Sequence, residues 1–287
     1  MPLRVAAISF LNPAPLLYNF EHEPNAADLA SRYIRHYTSP ALCAQQLQEG
    51  NADLGLIPIA KLTPELAIVP GCTIASLQEV RSILLLVKNP QGLPRQQALA
   101  NVRSIAADAA SRSSQAYTHI LFEGWLGTRP AFHEFAADPL QMLDQHDAAL
   151  IIGDPALMAR ENRELIDQRH HHELLWLDLA TLWREHTGLP WVAAVWAVRP
   201  SALNAETSAT QLVQDCIASR DNGMANVPAL VDEWSPRLRL PRDTVQHYLT
   251  RNIHYVLDQE CQRTIELFRK EAAALRILPE LGPLNLL

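Results

Sequence analysis

Four short polar segments of this chain follow or interrupt apolar stretches, and they carry groups that could bind an anion or transfer a proton. The residues are Ser9 and Asn12, Ser82, the run Ser111, Arg112, Ser113 and Ser114, and the pair Gly153 and Asp154. Amides, hydroxyls and free backbone N–H groups hold carboxylates and phosphates, and a carboxylate can act as a general base. Asp154 is the only carboxylate among these residues, so it is the simplest candidate for a base.

Each of these positions also has a purely structural interpretation. Asn12 and Asp154 each precede a proline, a pattern typical of a helix N-cap, in which the helix occupies the side-chain oxygen. A cap accounts for one serine of the run 111–114 but not for all three, so that run favours an anion site. Ser82 lies among apolar residues and needs a hydrogen-bond partner, either a local group or a ligand.

No motif for a metal or a bound cofactor stands out in the sequence. The histidines at 170–172 lack a carboxylate or cysteine partner at ligand spacing, so we interpret them as a solvated loop. The sequence has no GxGxxG, P-loop or GxSxG motif. The cysteines lie far apart and are interpreted as reduced packing residues: Cys43, Cys72, Cys216 and Cys261. We therefore expect no cofactor and no metal.

The composition narrows the class of partner. The chain has 287 residues with 48% hydrophobic and 19% charged content, which is typical of a globular protein of one or two domains. Its net charge of −7 argues against a nucleic-acid partner but allows a small anionic ligand. No stretch approaches the roughly 20 apolar residues of a membrane helix. The N-terminal residues lack the pattern of a secretory signal, so we expect a cytoplasmic protein.

The hydrophobic pattern supplies the elements that would bring the polar segments together. Residues 5–8 form an uninterrupted apolar run typical of a buried strand, and the prolines after Asn12 fit the first turn of a helix. In an open α/β sheet, such turns lie at the carboxyl ends of strands, where ligands bind. Strands and helices alternate up to Arg199 and only helices follow, which predicts an α/β protein with mainly parallel sheets.

Two sheets are favoured over one, because loop-like segments divide the strands into groups. We predict a discontinuous first lobe of residues 1–88 and 199–287 and a second lobe of residues 89–198. The C-terminal helices would then return to the first lobe.

Six segments, taken in order, resemble chorismate dehydratase of the futalosine route to menaquinone. They are SFLNPAPL (9–16), GNADLGLIPI (50–59), VPGCTIAS with VRSILLL (69–86), ADAASRSSQAY (107–117), AALIIGDPAL (148–157) and DLATLWREHTGLPWVAAVWAVR (178–199). Each segment alone is weak evidence for the family, but six segments in the family's order are specific evidence for it. The C-terminal helices match the family only in general character.

This resemblance implies a two-lobed fold like that of the type 2 periplasmic binding proteins, with the ligand in the cleft between the lobes. It implies a lyase that converts chorismate into 3-[(1-carboxyvinyl)oxy]benzoate and water without a metal or a redox cofactor. Asn12 and Ser82 would be the polar pair at the reacting end, with Ser9 among the substrate-binding residues. The run 111–114 would hold a carboxylate, and Gly153 and Asp154 would close the pocket from the second lobe.

Some questions stay open at this point. The base is either Asp154 or the enolpyruvyl carboxylate of the substrate itself. Phe10 stands where the family more often has tyrosine, which bears on the details of substrate binding. One alternative is a non-catalytic cytoplasmic ligand-binding protein, because the same architecture also serves solute capture. A related 1,4-dihydroxy-6-naphthoate synthase is another alternative, but its N-terminal turn carries cysteine and aspartate, which are absent from residues 9–16.

Overall fold

The computed structural model describes residues 1–109, 112–171 and 173–287, and this part of the chain contains two five-stranded sheets. The first sheet has the order β2-β1-β3-β10-β4, formed by β1 (Leu3–Ile8), β2 (Tyr33–Thr38), β3 (Leu54–Pro58), β4 (Ala67–Ser76) and β10 (Trp191–Val198). The second has the order β7-β6-β8-β5-β9, formed by β5 (Ile83–Lys88), β6 (Ser104–Asp108), β7 (Ala131–Phe135), β8 (Ala148–Ile152) and β9 (Leu174–Asp178).

In each sheet four strands run in one direction and one strand runs against them. β1 is parallel to β2 and β3, whereas β10 is antiparallel to both β3 and β4. Likewise β6 is parallel to β7 and β8, whereas β5 is antiparallel to both β8 and β9. The expected two-lobed α/β fold with mainly parallel sheets is therefore confirmed, with one reversed strand in each sheet.

The predicted lobe boundaries at 88 and 199 are wrong by one strand each. β5 belongs to the second sheet and β10 to the first, so the chain crosses between the lobes at residues 77–82 and 179–190. These two strands are the reversed ones, because each enters its sheet from the other lobe. Both are buried on both faces, so their apolar pattern is the same for either sheet and does not indicate which one they join.

Helices cover the sheets and make up the C-terminal part of the described chain. They are α1 (Ala14–Glu21), α2 (Asn25–Leu29), α3 (Pro40–Gln48), α4 (Arg95–Ala100), α5 (Arg112–His119), α6 (Pro139–Gln145), α7 (Gly153–Glu161), α8 (Arg163–Arg169), α9 (Leu179–Thr187), α10 (Ala209–Ala225), α11 (Val227–Leu238), α12 (Arg242–His247) and α13 (Gln259–Ala274). Wider π-helical turns continue α5 over Ile120–Trp125 and α12 over Tyr248–Asn252. None of the described helices is long and apolar enough to cross a membrane.

The C-terminal helices tie the lobes together. α10 packs against α1 and β4 of the first lobe, and the close approach requires Gly223, because a Cβ there would lie 2.3 Å from the Pro15 carbonyl oxygen. α13 packs against both β10 and α5, so it contacts elements of both lobes. Its Phe268 meets the Tyr117 ring, which stacks on Trp191 at 3.6 Å between centroids. One apolar core is thus shared by the two lobes.

The carboxylate of Asp178 joins the two crossover segments. It accepts hydrogen bonds from the backbone N–H groups of Val80 and Arg81 in the first crossover, the shorter being 2.7 Å. It also accepts from the N–H groups of Ala180 and Thr181, which makes it the N-cap of α9. One buried side chain therefore fixes the beginning of the Ser82 segment relative to the second crossover.

Candidate active site

A cavity with an empty volume of about 480 Å³ lies between the two sheets. Strand ends of both lobes form its apolar walls, which include Ile8, Ile74, Ile83 and Ile152. Its polar wall residues are Asn12, Arg112, Ser113 and Ser114, and Gly153 contributes backbone. Among the described residues, no carboxylate and no imidazole lines this cavity. The site can thus hold and orient an anion, but its walls offer no ordinary base.

Asn12 is not a helix cap, contrary to that interpretation of the sequence. α1 begins after Pro13, which occupies the N-cap position without a side-chain hydrogen bond. The Oδ1 atom of Asn12 is buried and has no hydrogen-bond partner in the described part of the chain. A buried amide oxygen without a partner is energetically unfavourable, so a ligand that donates a hydrogen bond to it would be stabilised.

Ser82 lies behind Asn12 and is linked to it by a residue that the sequence interpretation did not include. The hydroxyl of Tyr248 donates to Ser82 Oγ at 2.7 Å, and both residues are 1% exposed. Burial raises the pKa of Tyr248, and the Asn12 side chain lies close enough to act on the same hydroxyl. Ser82 is not among the described cavity-lining residues. It can affect the site only indirectly, through its contact with Tyr248 and the position of Tyr248 beside Asn12.

Tyr248 carried no detectable signal in the sequence. It lies 166 residues from Ser82 in sequence, and packing of the helix alone would explain a buried aromatic residue at this position. Only the return of the C-terminal helices to the cleft brings its hydroxyl to Asn12.

The polar run before α5 contributes from the second lobe. Ser113 Oγ accepts from the Ala60 N–H at 3.3 Å and donates to the Ala193 carbonyl at 3.1 Å, so this hydroxyl bridges the lobes. Ser114 lines the cavity and is 4% exposed. Arg112 lines it as well, although its guanidinium also donates to Glu134 at 2.9 Å. Ser111, which we predicted to bind the same carboxylate, lies outside the described residues.

Gly153 and Phe10 close the cavity from opposite lobes. Gly153 has a φ of +64°, and a Cβ at this position would lie 2.8 Å from the Phe10 ring. Glycine is required both for this backbone conformation and for the ring's approach. The aromatic wall is thus formed by a first-lobe side chain lying against second-lobe backbone.

Asp154 is also not a cap, since α7 begins at Gly153 and its N-cap, Ile152, makes no side-chain hydrogen bond. Its Oδ1 accepts from the Leu11 N–H at 2.9 Å, which joins the two lobes. Burial raises the pKa of Asp154 to about 6, although the Leu11 hydrogen bond and the charge of Arg237 lower it. Asp154 therefore holds the lobes together beside the cavity and is not part of the cavity wall.

Ser9 points away from the cavity. Its side chain is exposed and its hydroxyl accepts a hydrogen bond from Arg237 Nη2 at 2.8 Å. Of the residues selected from the sequence, the structure places Asn12, Arg112, Ser113, Ser114 and Gly153 at the cavity. Ser82 and Asp154 lie directly behind its walls.

Comparison with solved structures identifies the architecture. Protein AF1704 from Archaeoglobus fulgidus superposes with a TM-score of 0.71 at 15% identity, covering 96% of this chain and 98% of the other. The alkanesulfonate-binding protein SsuA from Xanthomonas axonopodis pv. citri, bound to MOPS, superposes with a TM-score of 0.64 at 15% identity, covering 97% and 94%. The fold is that of the periplasmic binding proteins.

Comparison of sequences is more specific than comparison of folds. The chorismate dehydratase of Thermus thermophilus is 29% identical over 256 residues, which are 85% of this chain and 88% of that protein. A family model described as menaquinone biosynthesis matches residues 3–274, nearly the whole chain and both walls of the cavity. This protein therefore belongs to the menaquinone biosynthesis family.

Proposed function

We propose that this protein is a chorismate dehydratase, which converts chorismate into 3-[(1-carboxyvinyl)oxy]benzoate and water. The observation that carries the proposal is the buried, unpartnered oxygen of Asn12, a residue that lines the cleft, in a chain of the menaquinone biosynthesis family. The relative from Thermus thermophilus supports the same reaction.

The reaction is an elimination that gives an aromatic ring. A base takes the ring proton beside the ether, the C–H electron pair forms a new double bond, and the neighbouring C–OH bond breaks. The departing hydroxyl takes up a proton and leaves as water. Because the product ring is aromatic, the protein mainly has to orient the substrate and place a base.

Asn12 is the residue that we assign to the reacting end. Its free Oδ1 would accept a hydrogen bond from the ring hydroxyl of the substrate and hold the C–OH bond in line for elimination. Tyr248 and Ser82 would position the Asn12 amide from behind. Ser82 accepts the hydrogen bond from Tyr248, so the single hydrogen of the Ser82 hydroxyl remains available to donate to another group.

The ring carboxylate would bind at the beginning of α5. The first three residues of this helix, Arg112, Ser113 and Ser114, line the cavity, and helix N-termini favour anions. Ser113 is already occupied by Ala60 and Ala193, so its role would be to fix α5 against the first lobe.

We infer that the base is the enolpyruvyl carboxylate of the substrate rather than Asp154. Among the described residues no carboxylate lines the cavity, and the Oδ1 atom of Asp154 is engaged by Leu11. The substrate carboxylate lies next to both the ring C–H and the hydroxyl, so it can take the proton and return it to the departing oxygen.

The test is incubation of the purified protein with chorismate, followed by chromatography and ultraviolet spectroscopy. We expect the enolpyruvyl-oxy benzoate to form, Asn12→Ala to reduce kcat by about 100-fold or more, and Ser82→Ala to reduce it less. Asp154→Asn should keep most of the activity. Unchanged chorismate accompanied by a thermal shift would instead indicate a ligand-binding protein and would refute the proposal.

A further inference from the structure

A second cavity, open to solvent, lies on the outer side of the β1–α1 turn. It is bounded by α1, by the end of β2 and by α11, and it shares only Ile8 and Phe10 with the cleft described above. The Phe10 ring therefore separates two cavities. The floor of the second one is apolar and aromatic, formed by Phe10, Leu17 and Trp234.

Two guanidinium groups line this cavity without a carboxylate partner. The Nη1 atom of Arg35 is buried and has no hydrogen-bond partner in the described part of the chain. Arg237 donates to the uncharged hydroxyl of Ser9 and lies 4.1 Å from the centroid of the Trp234 ring. Neither arginine forms an ion pair within 4.0 Å among residues 1–109, 112–171 and 173–287, although the charge of Arg35 acts to lower the pKa of Glu21 and that of Arg237 acts to lower the pKa of Asp154.

The carboxylates in the cavity wall are engaged with other groups. Glu21 accepts a hydrogen bond from the Tyr37 hydroxyl, and Glu233 lies 3.3 Å from the ring nitrogen of His22. In addition, the indole N–H of Trp234 has no partner in the described chain, although this residue is only 4% exposed. The cavity thus combines unsatisfied donors and an apolar floor with two arginines and two engaged glutamates.

We propose that this cavity is a second binding site, for a small aromatic carboxylate. The carboxylate would bind to Arg35 and Arg237, because guanidinium groups bind carboxylates with paired, charge-assisted hydrogen bonds. The ring would lie on the apolar floor beside Phe10. This site is separate from the cleft, and its occupancy does not depend on the proposed reaction.

The test is titration of the full chain with benzoate, followed by saturation-transfer NMR of the ligand. We expect saturable binding that Arg35→Gln and Arg237→Gln each weaken by about tenfold or more, because each removes a charge-assisted contact. Arg251→Gln, which removes an arginine from a different surface depression, is the matched control and should change nothing. Arg35→Lys retains the charge and should bind with intermediate affinity.

The cleft is the competing location for benzoate, and Arg112→Gln reports on it, because Arg112 lines the cleft and not the second cavity. Weaker binding in Arg112→Gln, with the Arg35 and Arg237 variants unaffected, would overturn the proposal. Equal affinity in all variants or a lack of saturation would overturn it as well. Thermal unfolding of each variant checks that a loss of binding is not a loss of the fold.

Discussion

Replacing Tyr248 with phenylalanine removes one hydroxyl from the interior and leaves the aromatic ring in place. That hydroxyl donates to Ser82 Oγ at 2.7 Å and lies beside the Asn12 amide. The chain offers a matched control in Tyr255, which is 4% exposed and whose hydroxyl has no hydrogen-bond partner in the described residues. Tyr248→Phe and Tyr255→Phe are the same chemical change at two buried sites that differ in hydrogen bonding.

The expected magnitudes follow from what each hydroxyl leaves behind. Loss of the Tyr248 hydroxyl leaves Ser82, which is 1% exposed, without its donor. An unsatisfied buried polar group costs about 1–3 kcal/mol, so Tyr248→Phe should lower the free energy of unfolding by about that amount. Removing the unpartnered Tyr255 hydroxyl removes only a desolvation cost, so Tyr255→Phe should be neutral or stabilising by up to about 1 kcal/mol.

Urea unfolding measures the difference, provided that the m values of the two variants agree with that of the wild type. If the proposed reaction is correct, Tyr248→Phe should also lower kcat with little change in KM, because the Asn12 amide loses its support. Tyr255→Phe should leave both constants unchanged. Equal stability of the two variants would refute the assignment of a structural hydrogen bond to Tyr248.

Two further predictions concern contacts between elements. The folded-state pKa of Asp154 is raised by burial from 3.8 to about 6, so the folded protein holds this proton more tightly than the unfolded chain does. Its contribution to the free energy of unfolding should therefore decrease by up to about 3 kcal/mol as the pH rises from about 4 to about 7. Urea unfolding midpoints measured across that range should show this decrease in the wild type and not in Asp154→Asn. A Cβ on Gly223 would meet backbone atoms of Pro15 at 2.3 Å, so Gly223→Ala should lower the free energy of unfolding by about 2 kcal/mol or more through displacement of α10. Gly124→Ala, whose new Cβ would lie 3.4 Å from a flexible Leu275 side chain, should unfold at nearly the wild-type temperature, and equal losses in the two variants would contradict the packing argument.

The sequence located much of the cleft because strand ends meet. Ser114 and Gly153 follow β6 and β8 of the second sheet, and the α/β pattern alone predicts that such turns lie at the same edge of a sheet. Asn12 follows β1 of the first sheet, and the packing of the two lobes brings it to the other two. The spacing of the residues could not predict which group each side chain would hydrogen-bond. Asn12 and Asp154 fit a cap pattern, yet neither side chain caps its helix: the Asn12 oxygen has no partner among the described residues, and the Asp154 oxygen accepts from Leu11.

Two kinds of feature were beyond prediction from local pattern. The strand over Ile83–Lys88 and the strand over Trp191–Val198 are apolar on both faces, so nothing in their residues specifies the sheet that they join. Tyr248 reaches the cleft through a long-range return of the chain, and a buried tyrosine in a helix has the same pattern whether or not its hydroxyl is used. Both depend on tertiary contacts that periodicity does not encode.

The position of β10 between β3 and β4 has a consequence for synthesis on the ribosome. The strands β1 to β4 are translated first, but β3 and β4 do not pair with each other, so the first sheet lacks its bridging strand until Val198 has been made. The second sheet has all five of its strands once Asp178 has been made. The lobe that is begun first is therefore completed last. The edges of β3 and β4 that pair with β10 stay unpaired until the strands of the other lobe have been translated.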